Sequence, residues 1–334
     1  MMIKVENFYN LVNKVSTAVG DSDCIKISFL VQKDHNLCQI VAYDGSSMQF
    51  QSRFAYEGEA EKDGSYIVKA SSLIKTLALY KELSVDTITI EPSESAIVLK
   101  DGKGNITLPL LDKMVTLEDK NLNEDCKGMF ATPLKTLQEC LKVANIGISK
   151  DNASLNGVYF NLDSEAKTYT VYASDGYVGT RNAITADITL HEGGSAEGMS
   201  FFAMPSIVKA VAALKGDAVS GIVTGKYLLL KDQENTLAVI ALNRTAFPLT
   251  LMSKTFTAKD EGGEATVYSR VTIPAATLMA ATELCTLSGT EKDKIVKLDY
   301  SDDKFKVSES ADKSERSLDE ASVKVENPVC LSKK

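Results

Sequence analysis

The feature that most constrains this chain is that it repeats itself. A short strand, a helix and then alternating apolar strands recur five times. The strand-helix starts are Ile3-Lys4-Val5 into Leu11–Val19, Tyr66-Ile67-Val68 into Leu73–Leu83, and Met129-Phe130 into Leu134–Ala144. The last two are Phe201-Phe202 into Ile207–Leu214 and Val271-Thr272-Ile273 into Leu278–Leu287. Starts lie roughly 60–75 residues apart, a spacing that marks a repeated supersecondary unit. The turns Ala42-Tyr43-Asp44-Gly45 and Ala173-Ser174-Asp175-Gly176 occupy matching places in the first and third units. The higher period is therefore two units, about 130 residues, which is one ordinary domain. Rings and arrays are built this way more often than enzymes.

Between the helices the chain reads as strand. Thr87–Ile90, Val158–Leu162, Tyr169–Tyr172, Lys297–Tyr300 and Phe305–Val307 are β-rich, and several alternate apolar with polar. Asp44-Gly45, Asp101-Gly102, Asp175-Gly176 and Asp302-Asp303 supply the turns. The expected fold class is α+β, with repeated β-α-β-β-β units, helices on one face and antiparallel sheets on the other. Glu118–Gly128 and Ser253–Ala265 read as polar linkers. They cut the chain into expected domains 1–120, 125–253 and 265–334. The first two hold two units each. The third holds one unit and a charged tail, Ser308–Glu320, and so reads as half a domain.

A chain of 334 residues suffices for two or three domains with their own cores. No early stretch has the form of a secretory leader and no apolar run reaches membrane-spanning length, so a cytoplasmic protein is expected. The six cysteines are scattered, with no CxxC pair, and fit reduced thiols; a Cys24–Cys38 disulfide is the alternative. The net charge of −8 argues against a surface uniformly coated for nucleic acid. The charge is unevenly spread, however. Lys14, Lys75, Lys81, Lys135, Lys142, Lys209 and Lys215 fall in or beside the helices, against Glu6, Glu82, Glu139 and Glu283. One explanation is that lysine is simply a good helix former on a solvated face. The other is that the helices share one deliberately basic surface. The fifth helix carries no lysine.

Catalytic signatures are hard to find. His35 and His191 are the only histidines, without a paired ligand pattern, so no metal is expected. Asp44 and Asp175 could be paired carboxylates, but each precedes glycine between apolar strands, which is a turn signal. Gly102-Lys103-Gly104 lacks the following Lys-Ser or Lys-Thr and the helix of a phosphate loop. No cofactor is expected.

In order along the chain, several stretches resemble the bacterial sliding clamp, the β subunit of the replicative DNA polymerase. They are Ile3-Lys4-Val5-Glu6 with Leu11–Ser16, Leu108-Pro109-Leu110-Leu111-Asp112, Leu155-Asn156-Gly157-Val158-Tyr159-Phe160, Ala173-Ser174-Asp175-Gly176 and Arg244-Thr245-Ala246-Phe247-Pro248. The resemblance covers nearly the whole chain. It implies a non-catalytic processivity factor that encircles duplex DNA and tethers polymerase, clamp loader and repair proteins through short linear motifs. The seven lysines would then meet phosphates without reading sequence. Leu155, Ser174, Gly176, Tyr177, Val178 and Pro248 would form one wall of a peptide cleft. Ile106 and Leu108, against Thr286 and Leu287 of a second copy, would form a head-to-tail homodimer.

The chain also departs from that pattern. Val19-Gly20-Asp21-Ser22-Asp23 is acidic where the family carries a basic residue, and Tyr177-Val178-Gly179 stands for the usual His-Arg-Leu. The family's last repeat and C-terminal strand find no counterpart; a natural short form and a shortened sequence both fit. Peptide binding weaker than in a complete clamp is the expectation. A clamp-like scaffold that does not close on DNA, and a β-rich enzyme with an unrecognised carboxylate site, remain the alternatives.

Overall fold

The computed structural model describes residues 1–31, 36–57, 64–114, 125–191, 195, 197–256, 269–286, 296–301, 304–309, 315–318 and 322–325. His35, Leu287 and the Asp302-Asp303 turn lie outside them. The chain forms two compact units, 1–252 and 253–334.

The first unit opens with β1 (Met2–Lys4), which runs straight into α1 (Val5–Val15). Then come β2 (Cys24–Val31), β3 (Asn36–Tyr43), β4 (Met48–Tyr56) and β5 (Gly64–Lys69). β5 runs into α2 (Ala70–Glu82), followed by β6 (Thr87–Pro92), β7 (Ala96–Lys100) and β8 (Asn105–Pro109). The order then repeats. β9 (Gly128–Pro133) leads into α3 (Leu134–Ala144), then β10 (Val158–Asp163), β11 (Thr168–Ser174), β12 (Gly179–Thr185) and an added β13 (Asp187–Leu190). β14 (Phe201–Ala203) precedes α4 (Ser206–Ala213), β15 (Ala218–Val223), β16 (Tyr227–Lys231) and β17 (Thr236–Ala241), and α5 (Leu249–Phe256) follows.

The helices form where apolar residues recur every three or four positions. Val5, Phe8, Val12 and Val15 are buried on α1, and Leu134, Leu137, Cys140, Leu141 and Ala144 on α3. Each valine, leucine or phenylalanine among them contributes about 1.5–3 kcal/mol when fully buried. None of α1, α2 or α3 has a side-chain N-cap, because each starts where a strand ends. Backbone supplies the missing acceptor. The first helical N–H donates to the carbonyl of Asp86 for α1, Asp23 for α2 and Asp217 for α3, at 2.8–2.9 Å. Each of those aspartates stands immediately before a strand of the adjacent sheet. α1 packs on α2, and α3 on α4.

All strand pairs between the described strands of the first unit are antiparallel, as the α+β reading requires. One sheet has the order β1-β6-β7-β8 and another β12-β11-β10-β14. A nine-stranded sheet runs β13-β9-β15-β16-β17-β4-β3-β2-β5. The halves therefore match element for element: β5-β2-β3-β4 corresponds to β14-β10-β11-β12, and β1-β6-β7-β8 to β9-β15-β16-β17. They are joined where β17 pairs with β4, from Thr236 opposite Ser52 to Ile240 opposite Met48. Core side chains at this join are closed off completely: Phe50, Ser52, Thr236, Ala238 and Ile240 are 0% exposed.

The second unit contains β18 (Ser269–Thr272), α6 (Ala275–Thr286), β19 (Val296–Ser301), β20 (Lys304–Glu309), β21 (Glu315–Leu318) and β22 (Ser322–Val325). β18 pairs with β22 as β9 does with β13, and β19-β20-β21 repeat β10-β11-β12. Among the described residues this is one repeat. The stretch expected to be a charged tail, Ser308–Glu320, instead holds the end of β20 and all of β21, whose Arg316 pairs with Val307. Alternation within Glu315–Leu318 is too short to register against its charge. Cys24, Cys38, Cys126 and Cys140 are free thiols. Among the described residues no helix is long and apolar enough to cross a membrane.

Candidate functional site

Three elements of the first unit converge on the residues expected to form the cleft. The first is the β11–β12 hairpin. Asp175 Oδ1 accepts the N–H groups of Tyr177 and Val178 at 2.8 and 2.7 Å, and Ser174 Oγ accepts that of Gly176 at 3.1 Å. Those backbone donors, Val178 foremost, hold the Asp175 carboxyl below its ordinary range. Gly176 has φ +97°, a left-handed conformation suited to glycine, and a Cβ there would stand 4.0 Å from Leu155 Cδ1.

The second element is the 153–157 loop and the third is the segment after β17. Asn243 Nδ2 donates to the carbonyls of Ala153 and Asn156, both at 3.0 Å, and Thr245 Oγ1 donates to Ala153 at 2.9 Å. This ties the loop that carries Leu155 to the segment that carries Phe247 and Pro248. Phe247 stacks on Tyr159 with ring centres 4.9 Å apart and planes 4° from parallel, and lies 5.3 Å from Phe202. The arrangement is an apolar floor with an exposed rim: Tyr177 is 99% exposed and Val178 45%, while Leu155 and Ser174 are buried. Pro248 is half-buried. An exposed tyrosine over such a floor can grip an apolar peptide side chain. Tyr159, Thr245 and Phe247 lie inside the stretches that carry the resemblance but were not assigned to the cleft, and Asn243 was passed over.

The helices present the expected lysines unequally. Lys75, Lys135, Lys142 and Lys209 are exposed, as is Lys215, which lies beyond the end of α4. Lys81 is exposed but sits 3.8 Å from Glu6 and 4.7 Å above the Tyr9 ring. Lys14 is a correction. Its side chain is 8% exposed and paired with the fully buried Asp232 and with Glu234. Asp232 also accepts the N–H groups of Glu234, Thr236 and Lys215. Lys14 thus faces a buried carboxylate across the join between the two halves, where it cannot reach solvent phosphate.

Ile106 and Leu108 lie on β8, an edge strand of its sheet among the described residues, with Ile106 36% exposed and Leu108 buried. Thr286 is the last residue of α6. Asp44, the other turn aspartate, is engaged as Asp175 is. Burial raises its pKa, but the N–H groups of Met48, Ser46 and Ser47 and the Ser47 hydroxyl outweigh that and lower it. Four donors converge on Asp44 Oδ1 and the Ser47 hydroxyl on Oδ2, the bonding pattern of a turn aspartate. Among the described residues no group of three or more His, Cys, Asp or Glu could hold a metal ion.

No protein-family model and no curated protein matches the chain. Solved structures do. It is similar to the Pseudomonas aeruginosa DNA polymerase III subunit beta, with TM-score 0.77 and 16% identity over 97% of this chain and 84% of that one. The Bacillus subtilis DNA polymerase sliding clamp gives 0.75 and 17%, over 97% and 85%. The Helicobacter pylori beta clamp bound to a DNA ligase peptide gives 0.73 and 14%, over 95% and 83%. Repeats, sheet order and these similarities agree: the chain has the fold of the bacterial DNA polymerase sliding clamp.

Proposed function

We propose that the chain is a processivity clamp: copies join head to tail around duplex DNA and tether a polymerase and other replication or repair proteins. It catalyses nothing itself. The observation that carries this is the β4–β17 join, which extends one sheet from a two-repeat domain into its duplicate. Such a join lets identical modules be added end to end without leaving an unpaired edge between them. The first four helices expose five lysines against three glutamates, enough for weak, sequence-independent attraction to phosphate. The cleft at Leu155, Ser174, Gly176, Tyr177, Val178 and Pro248 receives the short linear motif of the partner. The DNA ligase peptide on the Helicobacter pylori clamp is a precedent for that kind of ligand.

The test is retention on a nicked circular plasmid, with a clamp loader and ATP, during gel filtration. Protein that co-elutes with the circle and is lost when the DNA is linearised supports topological linkage. Equal retention on both forms, or none on either, refutes it. Withdrawal of Lys14 from the helix face favours one second reading, a clamp-like scaffold that binds partners without closing on DNA. That scaffold binds peptide and never stays on the circle.

A further inference from the structure

The sheet that joins the two halves has a second face, turned away from the helices. Strands covered on one side alternate apolar with polar, whereas strands covered on both read as unbroken apolar runs. β16 and β17 read the second way. Leu228, Leu230, Ala238 and Ile240 enter the main core. Leu229 and Val239, 4% and 0% exposed, instead form a separate cluster with Ile222 and Leu237 on the far face. Met129, paired with Ile222, continues that cluster and is 50% exposed.

Two hollows lie side by side over it. The first, of about 480 Å³, is floored by Ala131 and Ser220. Their short side chains sit between Asp187 and Lys231 in one row across four strands. The second, of about 550 Å³, takes in Gln51 and Arg53. Lys231 and Leu237 line both, so the two make one trough that crosses the β4–β17 join.

Charge says what fits it. Within the nine strands of this sheet Asp187 is the only acid, against Lys26, Arg53, Lys69 and Lys231, although the whole chain carries −8. Lys69 meets Asp23, whereas Lys231 and Arg53 are exposed and line the trough. We propose that this trough is a second docking site, for a short extended segment of another protein in which an apolar residue precedes two acids at alternate positions. The apolar side chain fills the hollow over Ala131 and Ser220, the first carboxylate meets Lys231 and the second meets Arg53. The lengths agree. β15, with Ser220, and β4, with Arg53, are three strand spacings apart, about 14 Å. The first and fifth residues of an extended peptide lie about 13 Å apart and face the same side. Asp187, at the opposite end, repels a reversed peptide and so fixes its direction. The trough shares no residue with the cleft at Leu155, and its use does not require a closed ring.

The test is fluorescence anisotropy with the full chain and labelled Leu-Gly-Glu-Gly-Glu. Saturable binding is expected, weakened about tenfold or more when the probe's leucine becomes serine or its glutamates become glutamines. No saturation below about 1 mM, or equal binding of all three probes, overturns the proposal. Ser220→Trp and Lys231→Glu, both at exposed positions, should remove binding of this probe without lowering the unfolding midpoint. Lys231→Glu should in turn prefer Leu-Gly-Lys-Gly-Glu; persistence of the original preference overturns the assignment of the carboxylates. Excess Gln-Leu-x-Leu-Phe peptide should leave the probe bound, and displacement would put the probe in the cleft instead. Displacement by phosphatidylserine vesicles, or a lower native mass in Ser220→Trp, gives the trough to a lipid surface or to a second copy and overturns the proposal. Retention on circular DNA tests the clamp reading separately and is the same whichever way these results fall.

Discussion

Removing the Lys14–Asp232 pair should separate the roles of charge and fold in the first unit. Lys14 comes from α1 and Asp232 from the β16–β17 turn, 218 residues later, and their side chains are 8% and 0% exposed. Deleting one member of a buried pair typically costs 3–5 kcal/mol, because the other is left as an uncompensated charge. In Lys14→Ala the remaining carboxylate keeps three backbone N–H donors at 2.9–3.0 Å, so the cost should fall near the lower end, about 3 kcal/mol. Asp232→Ala strips those donors of their acceptor as well. It leaves Lys14 only the half-exposed Glu234, and should cost about 5 kcal/mol or more. Lys14→Met keeps the packing of the stem and should fall below Lys14→Ala. The measurement is urea unfolding followed by circular dichroism, where a loss of ~3 kcal/mol moves the midpoint down by about 1 M or more. Plasmid retention of the folded Lys14→Met protein should stay at the wild-type level. The reasoning fails if both alanine variants unfold within about 0.5 kcal/mol of wild type, a shift typical of an exposed pair.

Other outcomes follow from the remaining features. Leu155→Asp should abolish peptide binding measured by fluorescence anisotropy, since it puts a charge on the cleft floor; unchanged affinity places the cleft elsewhere. Reversing Lys75, Lys135, Lys142 and Lys209 to Glu should shorten residence on circular DNA and flatten its salt dependence without lowering the unfolding midpoint. Salt-insensitive retention by wild type contradicts that role. The Asp44 carboxyl has a folded pKa below its ordinary 3.8, so its stabilisation is present above that value and is lost as pH falls through the lower folded one. Asp44→Asn should be less stable than wild type near neutrality, with the gap closing under acid titration; a constant gap refutes the linkage. Gly147 lies against the base of the β11–β12 hairpin, where a Cβ would come within 2.9 Å of the Ala173 carbonyl. Gly147→Ala should therefore lower both stability and peptide affinity, measured in parallel.

The repeats were legible because helix and strand periods alternate in the chain itself. The spacing of Val5, Phe8, Val12 and Val15 is a local pattern, and the two Asp-Gly turns carry their own hydrogen-bonding instructions. Legibility ended where a side chain's fate depends on a distant partner. Lys14 reads like any other helix lysine until Asp232 is placed beside it. Nothing within Thr236–Ala241 names Met48–Ser52 as its neighbour, so the sheet that unites the two halves could not be read. The proposed peptide wall was expected only by resemblance. Its floor, Tyr159 stacked on Phe247, arises from two segments almost ninety residues apart, which no local pattern connects.

The three helix starts fastened to Asp23, Asp86 and Asp217 have a mechanical result. A helix lying on a sheet through apolar contacts alone can roll about its axis, because those contacts are not directional. A hydrogen bond from its first N–H to the rim of the neighbouring sheet removes that freedom and sets the azimuth. The fastening uses main-chain carbonyls, so it survives replacement of the aspartate side chains. Charges projecting from the outer surface of such a helix keep their direction under load, as the teeth of a gear do when its shaft is keyed. A moving polyanion pressing on Lys75 or Lys142 would meet a stiff surface that neither turns with it nor folds around it, and resistance of that kind is what low-friction travel requires.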